Sequence, residues 1–221
     1  MNELEQLHTR VHDAQQVLTK TYEAVARLDL IIDERTATTV PLILGSLDMA
    51  DAFIVLLAKR TDRAWVAALA LQRSQMEYVL RAAFFAKAAS HKELMAFRKK
   101  GNMPKRGQRA IHIADVASEA ADQLGWDKST LLSFVKTHQR ELSSAVHGGK
   151  EILAVYTQHE EWGNIDVPWG ELGHHVDNVL IFTQLAMGVA MYHSRLGEAQ
   201  LDAAVRPTYE AAHAYFGKWG K

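Results

Sequence analysis

The chain has 221 residues, with 25 Lys and Arg against 26 Asp and Glu for a formal net charge of −1, and 48% of it is hydrophobic. Those values suit one packed domain over 1–221 and exclude a disordered or fibrous chain, as well as one basic enough overall to announce a nucleic-acid partner. The absence of cysteine excludes disulfides, thiolate zinc sites, iron–sulfur clusters and a cysteine nucleophile, and it fits a reducing cytoplasm.

The N-terminus, MNELEQLHTRVHD, mixes charges of both signs and has no apolar h-region, so no signal peptide is expected. Leu4, Leu7, Val11, Ala14, Leu18, Val25 and Leu28 then mark one face of a long first helix. A Thr-rich break with Pro41 is expected to end it, and a second helix runs from about Leu42 to Arg60. The apolar stretch Val40 to Ala58 contains Asp48 and Asp51, which are costly at bilayer depth, so it reads as a buried core helix and no membrane partner is expected. Asp62 is the expected N-cap of an alanine-rich helix over 63–89. A short helix at 92–99 precedes the loop GNMPKRG. A fifth covers about 108–124 up to Gly125, and a sixth, capped by Asp127 or Ser129, ends at Val146–His147 before Gly148–Gly149. Residues 150–168 are the least regular. Pro168 suits the first turn of a seventh helix to about His193, and a last helix covers 201–216. Strand signals are nearly absent. The expected architecture is an all-α, single-domain helical bundle of about seven to eight helices.

Four features carry chemistry. Arg73, Glu77 and Arg81 recur every four residues inside an apolar helix, so they form one stripe. It is either an ion-pair network that fixes helix register or a pocket whose two guanidiniums suit phosphate or carboxylate. Asp48 and Asp51 read in the same way on the preceding helix. In RELSSAVHGG, Arg140 and His147 are seven residues apart, about 20° short of two turns, and Ser143 and Ser144 lie between them near the shared face. A histidine moves protons near neutral pH and a guanidinium stabilises developing charge, so with a ribose 2′-hydroxyl as nucleophile the pair suits RNA cleavage without metal. Equally, His147 suits a helix C-terminus, where a cation is favoured.

The Arg140-x6-His147 pair, late in a helix of an all-α chain, resembles the R-x(4–6)-H motif of the HEPN superfamily. The segment LALQRSQMEYVLRAAF is similar to an Arg-x3-Glu pattern in bacterial HEPN-like proteins, which often also carry a His-Gly ending like AVHGG. The resemblance covers about residues 40–195, and only these two segments are specific. It implies a helical bundle, usually a homodimer, that joins two motifs into a metal-independent endoribonuclease of toxin–antitoxin, phage-defence or RNA-processing systems, though some members are inert. By that resemblance, Arg140 holds the scissile phosphate and His147 serves as acid or base. Glu141 stands where the family commonly has Asn, Asp or His, and a carboxylate beside a phosphate opposes binding.

From His91 to Arg109, seven cations face Glu93 alone, a net +6 that leaves −7 for the rest of a −1 chain. Lys99, Lys100, Lys105, Arg106 and Arg109, with Arg73, Glu77, Arg81 and Ser144, are the expected substrate contacts. Phe97 is the one aromatic in the segment, which argues against base stacking. The remaining histidines offer less. Glu171 and His174 have the i, i+3 spacing of a bundle metal pair, followed by His175. A three-histidine site from His112, His147 and His174 or His175 is the alternative, and neither a metal nor another cofactor is expected. Three readings therefore stand: an HEPN-like ribonuclease, an inert HEPN-like module that binds a protein or nucleic-acid partner such as an antitoxin, and a metal-binding bundle.

Overall fold

The computed structural model describes residues 2–147 and 167–220, without the side chains of Asp62, Arg63, Arg140, Glu141, Ser144, Ala145 and His147. The described residues form an all-α bundle with one minimal hairpin. Its helices are α1 (Glu3–Ala26), α2 (Thr36–Ala83) running into a π-helical turn (Phe84–Ala88), α3 (His91–Lys100), α4 (Ile113–Leu124), α5 (Lys128–His147), α6 (Trp169–Met191) and α7 (Glu198–Trp219). Strands β1 (Lys105–Arg106) and β2 (Arg109–Ala110) pair antiparallel between α3 and α4.

Helix α1 starts in a capping box, Asn2 with Glu5, and buries the expected stripe of Leu7, Val11, Ala14, Leu18 and Val25. Helix α2 begins six residues before the expected Leu42, and Pro41 lies inside it. Asp33 explains the early start. Its carboxylate accepts the Thr36 N–H at 2.8 Å, while the Ala37 N–H reaches the Asp33 carbonyl. The threonines support the helix because the Thr38 and Thr39 hydroxyls donate to the carbonyls of Glu34 and Arg35. The expected break near residue 62 is a kink at Arg60, with φ −145° and ψ 43°. The expectation that Asp62 caps a new helix falls on a side chain outside the described set.

The stretch Thr36–Thr61 is long and apolar enough to cross a membrane by length and composition. Ile43, Leu47, Phe53, Ile54 and Leu57 of that stretch are buried in the core. Asp48 and Asp51, expected like the arginine stripe to be buried or half-buried, are instead exposed, and Asp48 accepts the Tyr22 hydroxyl at 2.8 Å. Every third or fourth position of an amphipathic helix faces outward, and both aspartates occupy that outer face.

At the other end of α2, the Arg35 guanidinium donates to the carbonyls of Phe85 and Ala89, both at 2.8 Å, and so closes the π-helical turn. Helix α4 starts at Ile113 rather than 108, because Gly107 at φ 67° turns the chain and 109–110 pair as β2. Asp127, and not Ser129, caps α5: its carboxylate takes the Thr130 N–H and the Ser129 and Thr130 hydroxyls. Those bonds, the Thr130 N–H first, pull its carboxyl down to about 2. Helices α1, α2, α6 and α7 pack around one apolar core, with α4 and α5 against α2.

A half-buried ion pair ties this bundle together. Arg10 of α1 donates Nε to Asp177 of α6 at 3.0 Å and pairs its Nη2 with the other carboxylate oxygen. The Tyr215 hydroxyl of α7 donates to the same carboxylate at 2.8 Å. Both charged side chains are about 13–14% exposed.

Candidate functional site

The four-residue spacing of Arg73, Glu77 and Arg81 becomes a ladder on α2. Arg73 Nε donates to Glu77 Oε1 at 3.1 Å, and Arg81 Nη2 donates to Glu77 Oε2 at 2.8 Å. The three side chains are 20%, 25% and 30% exposed, so the network is half-buried. One carboxylate between two guanidiniums leaves a net positive charge. Arg73 also reaches out of its own helix, donating Nη1 to the Ser143 hydroxyl of α5 at 2.8 Å.

Ser143 lies between Arg140 and His147, and at 100° per residue it is within 60° of both around the helix. The ladder therefore abuts the stripe of α5 on which the Arg140-x6-His147 pair is placed. The side chains of Arg140, His147 and Ser144 lie outside the described residues. One turn earlier on α5, the Gln139 amide is 3.4 Å from His112 Nε2, and His112 is the N-cap residue of α4 just after the hairpin. This contact joins the arginine stripe to the foot of the basic segment.

The basic segment divides into two roles. Lys99, Lys100, Lys105 and Arg109 are exposed and form no ion pair with another described residue. Arg106 differs: it donates to Glu93 of α3 and, through Nε at 3.0 Å and Nη2 at 2.7 Å, to Glu119 of α4. Its guanidinium is held above its usual value by Glu119 and then Glu93. Of the expected substrate contacts, Arg106 is the one whose guanidinium is engaged by two carboxylates of the described residues. Partial burial pushes the Glu93 carboxyl up, but the bonds from Arg106 and Ser90 outweigh it and hold the group below its usual range. Phe97 stacks on Phe85 with ring centroids 4.3 Å apart, which turns the segment's aromatic inward.

Behind the ladder lies a histidine cluster that spacing alone did not reveal. His175 Nδ1 is 2.8 Å from Gln72 Oε1, one residue from Arg73, and the Gln72 amide faces the His175 carbonyl at 3.4 Å. The His138 ring is 6.4 Å away and contacts Asn178 and Phe134. Burial, then the neighbouring His138 and His174, pull His175 down to about 4. Its imidazole is neutral at pH 7. Glu171 and His174 are exposed on α6, and among the described residues no group of three His, Asp or Glu is placed to hold a metal. The proposed trio with His112, His174 or His175 includes His147, which is outside the described side chains.

Compared with family models, curated proteins and solved structures, the chain matches none.

Proposed function

We propose that the protein is an HEPN-like, RNA-directed module whose α5 stripe cleaves RNA without a metal. The observation that carries this reading is the Arg73–Ser143 hydrogen bond, which sets a half-buried cationic ladder beside the stripe of Arg140 and His147. In the reaction, the ribose 2′-oxygen attacks the adjacent phosphorus, losing its proton to a base. The P–O5′ bond breaks, the departing 5′-oxygen takes up a proton, and a 2′,3′-cyclic phosphate remains. His147 serves the proton transfers, Arg140 holds the phosphate oxygens, and Arg73 adds positive charge beside them. The same resemblance carries a homodimer with paired motifs, and an antitoxin-type protein partner, as parts of the reading.

The test is incubation with single-stranded RNA in EDTA, wild type beside His147→Ala and Arg73→Ala. Wild type should release cyclic-phosphate ends, His147→Ala should lose at least about 100-fold in rate, and Arg73→Ala should show a smaller loss. Equal cleavage by wild type and His147→Ala, or none by either, refutes it. A second reading, an inert binding module, is favoured by Glu141 beside Arg140. It requires RNA or protein binding with no cleavage, unchanged by His147→Ala.

A further inference from the structure

Helix α3 ends in Arg98, Lys99 and Lys100 and is stopped by Gly101 at φ 70°. Between it and the hairpin lies an open groove of about 490 Å³, lined by Lys92, Lys100 and Lys105 together with Ala96, Met103 and Pro104. All three lysines are exposed, and none is ion-paired with another described residue. Glu93 is the one acid among the residues lining it, and its carboxylate accepts from Arg106 and from Ser90. The anionic charge in the groove is thus already neutralised, whereas no acid among the described residues neutralises the ammonium groups.

Arg106 also fixes the groove's shape. Because it bridges Glu93 of α3 to Glu119 of α4, it anchors the strand that carries Lys105. No aromatic face is offered to a base, since Phe97 is stacked on Phe85 and no ring lines the groove. Unpaired cations on a held scaffold, without stacking platforms, bind a phosphate backbone and do not read sequence.

We propose that this groove seats the phosphodiester backbone of RNA independently of sequence, with Lys92, Lys100 and Lys105 meeting phosphates and Arg106 serving as the pin that holds the hairpin. This deepens the RNA reading above and rests on it. It adds Lys92 to the contacts and removes Arg106 from them.

The experiment uses full-length His147→Ala protein and two fluorescein-labelled RNAs of equal length, oligouridine and a mixed sequence, followed by anisotropy between about 50 and 200 mM salt. Both RNAs should bind with affinities within a few-fold of each other. K92Q/K100Q/K105Q should bind at least about tenfold more weakly, and its slope of log K against log salt should be shallower by about 2. K92R/K100R/K105R should bind within about twofold of the parent. All three sites are exposed, so unchanged circular dichroism verifies that the variants fold. RNA binding unaffected by the glutamine substitutions, a strong preference for one sequence, or binding to phosphatidylserine vesicles with none to RNA would overturn the proposal. The two readings separate cleanly. Groove-dependent binding without cleavage by wild type leaves the groove standing and refutes the ribonuclease, whereas cleavage that ignores the glutamine substitutions does the reverse.

Discussion

Acid should unfold this bundle through His175. The imidazole sits between α2 and α6 with Nδ1 donating to Gln72, and burial together with His138 and His174 lowers it to about 4. An unfolded histidine titrates near 6.5, so below that value the unfolded chain binds a proton that the folded chain refuses. The sign follows: the stability linked to His175 is intact above about pH 6.5 and is lost progressively as pH falls toward 4. The full difference corresponds to roughly 3 kcal/mol, and about 2.5 kcal/mol of it is lost by about pH 4.5. The assay is urea unfolding of wild type and His175→Gln at pH 7.5 and 4.5. At the higher pH the variant should be less stable by about 1–2 kcal/mol, because it loses a buried hydrogen bond to Gln72. On acidification it should lose roughly 2 kcal/mol less than wild type, the carboxylates being common to both. His138→Gln should raise the His175 midpoint in a histidine NMR titration, since it removes a neighbouring positive charge. Parallel losses in wild type and His175→Gln, within about 0.5 kcal/mol, would refute the assignment of acid sensitivity to this residue.

Other perturbations test the frame. Asp177→Ala leaves the half-buried Arg10 guanidinium only the Tyr215 hydroxyl and the Trp219 carbonyl and should cost about 2–3 kcal/mol by thermal or urea unfolding. Gly173→Ala should weaken the same pair, because a Cβ there would lie 2.7 Å from Arg10 Nη1, whose guanidinium is bound to Asp177 and cannot retreat freely; a loss of about 1–3 kcal/mol is expected in the same assay. Arg35→Ala removes two charge-assisted bonds from the end of the π-helical turn and should cost about 2 kcal/mol, with faster amide exchange at 84–90. Arg106→Ala should lower stability by about 1 kcal/mol or less, given its 40% exposure, while amide exchange at 105–110 accelerates.

What the sequence reveals and what it hides divide by range. The Arg73–Glu77–Arg81 ladder follows from a four-residue spacing, and the α1 core stripe from a 3.6-residue period, because both are fixed by one helix alone. The Arg10–Asp177 pair joins residues 167 positions apart, and His175 meets Gln72 across 103, so no local pattern marks them. Local signals also mislead where a side chain has two uses. Pro41 and the threonines before it signal a break, yet Asp33 supplies a cap and the hydroxyls bond back to carbonyls, so the helix starts early. The basic segment shows the same ambiguity for function. Charge counting treats Arg106 and Lys105 alike, although one spends its donors on Glu93 and Glu119 and the other pairs with no acid among the described residues. A cation's availability depends on which acids the fold brings to it, and Glu119, thirteen residues along the chain, enters only through the hairpin turn. The net charge of the segment therefore locates the surface, and the ion-pair geometry decides which of its residues are left to meet a phosphate.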